Sequence, residues 1–133
     1  MTSAVSATPA APSDQALRHF SDVFSYETDC SDVHQTMADG SPDFVLFDVR
    51  SPALYARGHV PGAINMPHGK IVDIKLRDYP ADTLFVVYCA GPHCNGAQRA
   101  AIRLARLQRP VKTMPGGVTG WVDEGFALAF GDD

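Results

Sequence analysis

Long apolar runs are missing from this chain of 133 residues. No stretch approaches the ~20 residues that a membrane helix needs, so a helical membrane anchor is excluded. Surplus positive charge is missing as well. Eleven Lys and Arg stand against 15 Asp and Glu, a formal net charge of -4, which argues against general nucleic-acid binding. Cysteine is scarce, with three in all and no second ligand pair beside the lone Cys89-x4-Cys94 spacing. That pattern fits neither a disulfide framework nor a zinc site, so no metal and no cofactor are expected. The first 13 residues lack charge, and they lack the basic start and apolar core of a secretory signal. They are expected to form a tail, with residues 14–133 as a single domain in the cytoplasm and the three thiols reduced. No internal repeat is present, which removes solenoids.

What is present is enough for one core: 45% of the residues are apolar. Two continuous runs, Phe44 to Phe47 and Leu84 to Tyr88, read as strands covered on both faces. Val111 to Met114 reads as the last strand, Ala63 to Asn65 as a very short one, and Phe24 to Thr28 as a short first one. Leu17, Phe20, Val23 and Phe24 have helical spacing and predict an amphipathic helix over 14–25, lying on the domain. Asp29 or Ser31 is placed to cap a helix reaching about Ala38, and Cys30 near its start is expected to be a buried, inert thiol. Ser51 and Pro52 suit the cap and first position of a helix ending near Gly58. Further helices are expected over 70–77, 97–107 and 118–124, the last burying Trp121. Strand and helix alternate, so the fold class is α/β with a mostly parallel sheet flanked by helices on both faces.

The segment from Leu84 to Leu107 carries the chemistry. A buried strand ends at Cys89, a loop with turn pairs Gly91-Pro92 and Asn95-Gly96 follows, and then a helix begins. Open α/β sheets place ligands at such strand ends. The N–H groups of Gly91, His93, Cys94, Asn95 and Gly96 are candidates for an anion nest, whereas Pro92 has none to offer. Such a nest favours a thiolate over a thiol, which otherwise ionises near pH ~8.5. Five basic residues and no acidic ones lie between Arg99 and Lys112. They read either as a solvated helix face or as a field drawing small anions to the loop. Arg99 is balanced between a solvent-facing residue and a substrate contact. Among the histidines, His59 reads as a corner-holding donor, His34 and His19 as surface residues, and His68 as a residue able to cap a helix.

Four segments together resemble the rhodanese-like domain. They are Asp48-Val49-Arg50 after a strand; Gly58-His59-Val60-Pro61-Gly62-Ala63-Ile64-Asn65; a cysteine closing a Val-Val-Tyr strand; and Gly116-Gly117 three residues before Gly120-Trp121. Their order matches from about Tyr26 to Gly125. The resemblance implies the rhodanese/Cdc25-like fold, with five mostly parallel strands, and sulfur transfer through a cysteine persulfide. It makes Cys89 the nucleophile. It ties Asp48 and Arg50 to holding the fold and the site, His59 to a structural corner, and Gly116, Gly117 and Trp121 to a turn and helix walling the site. One departure stands out. The commonest sulfurtransferase loop has a basic residue five places after the cysteine, and the phosphatase-type loop has an arginine six places after it. Here the loop is about two residues longer and positions 94 and 95 are Cys94 and Asn95, so a phosphate clamp is missing.

The expected activity is transfer of sulfane sulfur from thiosulfate or a persulfide donor to cyanide or a thiol, by nucleophilic covalent catalysis in two half-reactions. The partners are a small anionic donor, a thiol or cyanide acceptor, or a protein in either role. The alternative is a carrier or partner-binding module with little activity on thiosulfate. Cys94 has three readings: a second nucleophile, a resolving thiol, or a bystander in the loop.

Overall fold

The computed structural model describes residues 1–132. Residues 1–12 contain no helix or strand and are exposed throughout, with a turn closed by Ser3 and Ser6. The elements follow as α1 (Ser13–Tyr26), α2 (Cys30–Ala38), β1 (Val45–Asp48), α3 (Pro52–Arg57), β2 (Ile64–Asn65), α4 (Asp73–Leu76), β3 (Phe85–Tyr88), α5 (Gly96–Arg106), β4 (Val111–Thr113) and α6 (Gly117–Asp123). The expected domain ran to Asp133, which lies outside the described residues.

The two apolar runs pair at the centre. β1 and β3 lie parallel, with Val45 opposite Phe85 and Asp48 opposite Tyr88. β2 adds outside β1 and β4 outside β3, so the order is β2-β1-β3-β4 with every pair parallel. Four strands are therefore present among the described residues, not five. The missing one is the segment 24–28. Phe24 to Tyr26 continue the periodicity of α1, and Glu27 keeps only a single parallel bridge to Thr113. Helical hydrogen bonding carries through to the Glu27 N–H, which donates to the Val23 carbonyl.

Side chains alternate across the sheet. Leu46, Val86 and Tyr88 point to one face, where Cys30, Val33, Tyr55, Met114 and Trp121 complete a core. Phe47, Phe85, Val87 and Cys89 point to the other, packed with Ile71, Leu76, Ala97, Ala100 and Leu104. This period of two decides the site. Cys89, one residue past β3, shares the face of Val87 and so meets α5 rather than α6.

Local signals explain most boundaries. The Asp29 carboxylate accepts the Asp32 N–H at 2.8 Å at the start of α2. Ser51 caps α3 through the Leu54 N–H, with Pro52 in the first turn. The helix expected over 70–77 splits into a 3-10 turn at His68–Lys70 and the short α4, because Val72 is extended between them. Arg109 then binds the carbonyls of Leu76, Tyr79 and Pro80. α1 departs from expectation. It does not bury its apolar stripe on the domain: Leu17 is 71% exposed, Phe20 66% and Phe24 76%.

Candidate active site

Cys89 is held from two directions. Its carbonyl accepts the Val118 N–H at 3.2 Å, and the Ala90 carbonyl accepts both the N–H and the hydroxyl of Thr119. The first turn of α6 thus grips the start of the loop. Gly117 makes this approach possible: its φ is +57°, and a Cβ there would collide with the Cys89 carbonyl oxygen and sit 2.8 Å from the Gly91 nitrogen. On the other side, a Cβ on Gly96 would lie 2.7 Å from the Cys89 sulfur and 3.5 Å from the Cys94 sulfur. The sulfur therefore rests against the N-terminal residue of α5, where the helix dipole favours negative charge.

Cys94 is bonded to Cys89 as a disulfide, with the two Cα atoms 6.4 Å apart. A tight turn, closed by the Cys94 N–H on the Gly91 carbonyl at 3.0 Å, folds the loop back on itself. Two expectations change here: Cys89 and Cys94 are joined and not reduced thiols, and one amide leaves the expected anion nest. The Cys94 amide is spent in that turn and cannot join an anion nest. The amides of Gly91, His93, Asn95 and Gly96 have no acceptor among the described residues. Cys89 is only 7% exposed and is not among the residues lining the hollow beside the loop, whereas Cys94 is.

That hollow holds about 350 Å³ and is walled by Pro92, His93, Cys94 and Gln98, with Glu27 and Thr113 opposite. No lysine or arginine lines it among the described residues. Arg99 is exposed and turns its Nε to the Asn95 side-chain oxygen at 3.1 Å, bracing the loop from the helix. Arg103 and Arg106 lie in the last turn of α5, at the far end from the loop, and Arg109 is committed to carbonyls near α4. The basic run is therefore mostly remote from the hollow.

Behind the site lies a buried ionic knot. Asp48 is fully buried and accepts from the Arg50 N–H at 3.0 Å, from Arg50 Nε and Nη2, and from the Tyr88 hydroxyl at 2.7 Å. Arg50 continues to the Gly58 carbonyl, and the Tyr88 oxygen accepts the Val60 N–H. Burial works to lower the Arg50 pKa, but the hydrogen bonds and charge of Asp48 outweigh it and raise it. Burial first, then the Asp48 charge, pushes the Tyr88 phenol far above its ordinary value, so it remains a donor. Asn65 ties β2 in by donating to the Asp48 and Arg50 carbonyls. The knot joins β1, β2, β3 and the corner after α3 at the sheet edge where the loop begins.

The remaining expected residues sit around this frame. His59 is buried, stacks on Tyr55 at 3.6 Å, donates from Nδ1 to the Tyr55 carbonyl, and pairs its backbone with Ala129. Gly116 and Gly120 make room for the Cys30 sulfur, which donates weakly to the Gly117 carbonyl. Burial, with added repulsion from Asp29 and Glu124, raises the Cys30 pKa and keeps it an unreactive thiol. Trp121 is buried, as expected, in the helix whose first turn walls the loop. It belongs to the opposite core, and its indole N–H holds the Ala127 carbonyl at 2.9 Å. His34 is not a plain surface residue: it stacks on Phe126 at 3.8 Å and meets Trp121 edge-on. His19 is exposed, and the His68 N–H donates to Val49.

Sequence reading missed Tyr88, Glu27 and Thr119. Tyr88 had a signal, since a phenol in a strand buried on both faces must find a hydrogen-bond partner. Glu27 and Thr119 had none, because only folding brings them to the loop.

The Gly96 contacts lead to a prediction. Gly96 has an ordinary helical backbone, so Gly96→Ala should change stability by less than about 1 kcal/mol. The added methyl must displace the Cys89 sulfur, however. Any sulfur-directed reactivity of Cys89 should fall by about 10²-fold, as for a misplacement of about 1 Å. Parallel urea melts and thiol-reactivity rates check both halves.

The sequence profile of the family described as Rhodanese-like domain matches residues 29–124. The HTH-type transcriptional regulator Rv0324 of Mycobacterium tuberculosis is 38% identical over 97 residues, covering 68% of this chain and 42% of the regulator. The chain thus spans less than half the length of that relative. A sulfurtransferase of Allochromatium vinosum is 28% identical over 102 residues, 77% of this chain and 92% of its own. Among solved structures, the BH2092 protein of Bacillus halodurans superposes with a TM-score of 0.85 at 33% identity, over 90% of this chain and 87% of that one.

Proposed function

Because this chain belongs to the rhodanese-like domain family, we propose that it works as a sulfurtransferase through a persulfide on Cys89. The donor is thiosulfate or a persulfide, and the acceptor is cyanide or a thiol. The observation that supports this reading most is the seat of the Cys89 sulfur. It lies at the carboxyl edge of β3, against the first residue of α5, in a loop four of whose amides have no acceptor among the described residues. Such a seat stabilises a thiolate. A thiolate is nucleophilic enough to take a sulfane sulfur and to hold it as Cys–S–S⁻. Glycine at 96 leaves room for sulfur atoms beside Cys89. Asp48, Arg50, Tyr88 and Gly117 do not react; they position the strand end and the loop.

The paired cysteines must be reduced before the cycle begins. Cys89 then attacks the outer sulfur, the S–S bond of thiosulfate breaks, and sulfite leaves with the bonding electrons. A second nucleophile takes the sulfur and regenerates the thiolate, giving ping-pong kinetics. Mass spectrometry of the reduced protein after exposure to thiosulfate tests this. The expected result is a gain of ~32 Da, one sulfur as a persulfide, on the Cys89 peptide. A gain on Cys94 alone would reverse the assignment. Cys94→Ser, also exposed to thiosulfate, supplies the case in which no second loop thiol is present.

One observation favours the carrier reading, in which a protein donor replaces thiosulfate. Glu27 lines the hollow and, among the described residues, no lysine or arginine does, a poor receptor for a small dianion. Thiocyanate production from thiosulfate and cyanide separates the two readings: negligible turnover, together with sulfur uptake from a protein persulfide, supports the carrier.

A further inference from the structure

We propose that Cys94 is a resolving thiol that converts the Cys89 persulfide into free sulfide, making this domain a dithiol-driven reductase of sulfane sulfur. The proposal rests on sulfur uptake at Cys89 as read above, and it adds the fate of the atom taken up. Three features of the loop carry it. The sulfurs of Cys89 and Cys94 are joined, and their Cα atoms, 6.4 Å apart, lie within the usual span of a disulfide. The turn from Gly91 to Cys94 aims the second cysteine back at the first, and Pro92 stiffens that turn. Gly96 leaves the space both sulfurs occupy, since a side chain there would meet both.

The chemistry balances. In the first step the Cys89 thiolate takes the sulfane sulfur of thiosulfate and sulfite leaves. In the second, the Cys94 thiolate attacks the Cys89 sulfur. The bond between Cys89 and the guest sulfur breaks, and the guest leaves as hydrosulfide with the electron pair. Together, the dithiol protein and thiosulfate yield the disulfide protein, hydrosulfide and hydrogensulfite. Two cysteine sulfurs are oxidised by two electrons in all, and the sulfane sulfur is reduced by two. The disulfide is reopened by an external dithiol, either a small one or a protein with a reactive cysteine pair, through a mixed disulfide. Cys94 is half-exposed and lines the hollow, whereas Cys89 is buried, so the incoming thiolate attacks Cys94 and Cys89 leaves as the stabilised thiolate. This outcome differs from handing the sulfur intact to an acceptor. It also dispenses with the basic loop residue that the commonest family loop carries, because the acceptor is built in.

The test uses the full chain, reduced, freed of reductant and mixed with thiosulfate, and in parallel with inorganic polysulfide, without other thiols. In the thiosulfate arm the wild type should release about one sulfide and one sulfite per chain and then stop, while in the polysulfide arm, where the donor itself yields sulfide, the protein mass is the readout. Its mass should fall by ~2 Da, with Cys89 linked to Cys94, and dithiothreitol should restart sulfide release. Cys94→Ser should stop one step earlier, holding ~32 Da on Cys89 and releasing at least ~10-fold less sulfide. Cys94→Ala provides the same comparison should the serine variant fold poorly. A wild-type protein that keeps ~32 Da on Cys89 and releases no sulfide overturns the resolving role while leaving sulfur transfer intact. Failure of both wild type and Cys94→Ser to take sulfur from either donor sinks the sulfur-transfer reading itself, and the resolving step falls with it.

Discussion

Replacing Cys89 by serine is expected to abolish sulfur transfer, lowering thiocyanate formation by at least ~10³-fold, the order seen when a catalytic nucleophile is removed. Two physical facts combine. A serine hydroxyl does not ionise near neutral pH, and an oxygen cannot hold a guest sulfur and release it as a thiolate does. The fold should survive. Serine is close in size to cysteine, and the grip on position 89 is through its carbonyl, which takes the Val118 N–H. The Cys89→Ser protein should therefore melt within a few degrees of the reduced wild type. Retention of more than about a tenth of the turnover in Cys89→Ser, with loss in Cys94→Ser, would transfer the nucleophile's role to Cys94.

The second large effect concerns stability. Asp48→Ala removes the acceptor of the Arg50 N–H, the Arg50 guanidinium and the Tyr88 hydroxyl at once. Arg50 is left nearly buried with its charge unpaired apart from the Gly58 carbonyl. Breaking a buried pair on one side costs about 3–5 kcal/mol, much more than the pair itself contributes over an apolar replacement. For a domain of this size that corresponds to a drop in Tm of roughly 10–20 °C. The double variant Asp48→Leu, Arg50→Met removes both charges and should recover part of the loss. If Asp48→Ala costs less than about 1 kcal/mol in urea unfolding, the knot does not hold the sheet edge as described.

Much of the fold was legible because its signals are local. The runs 44–47 and 84–88 could be strands because a β-rich apolar stretch bounded by turns has few other uses. Asp29, Ser51 and Pro52 mark helix starts through contacts made within four residues. The misreadings share a cause. Phe24 to Thr28 suits a strand by composition, but the helix before it extends to Tyr26, which leaves a single bridge from Glu27 to Thr113, closed by the Thr28 N–H on the Thr113 carbonyl. Trp121 is buried by its helix as expected, while the first turn of that helix, not the indole, meets the loop. Tyr88 itself read as an apolar strand residue, because nothing in its neighbours announces that Asp48 will arrive opposite.

From the order of its residues alone, this chain determined an α/β sheet, a strand ending at Cys89, and a loop with a second cysteine and no lysine or arginine. Those are matters of periodicity, turn chemistry and composition, settled over spans of a few residues. Only the tertiary structure decided that Cys94 lies on Cys89, that its amide is spent on Gly91, and that Gly117 lets α6 hold the strand end. Each of these depends on distances between segments that become neighbours through packing. Spacing along a chain states which atoms are available; it does not state which will meet.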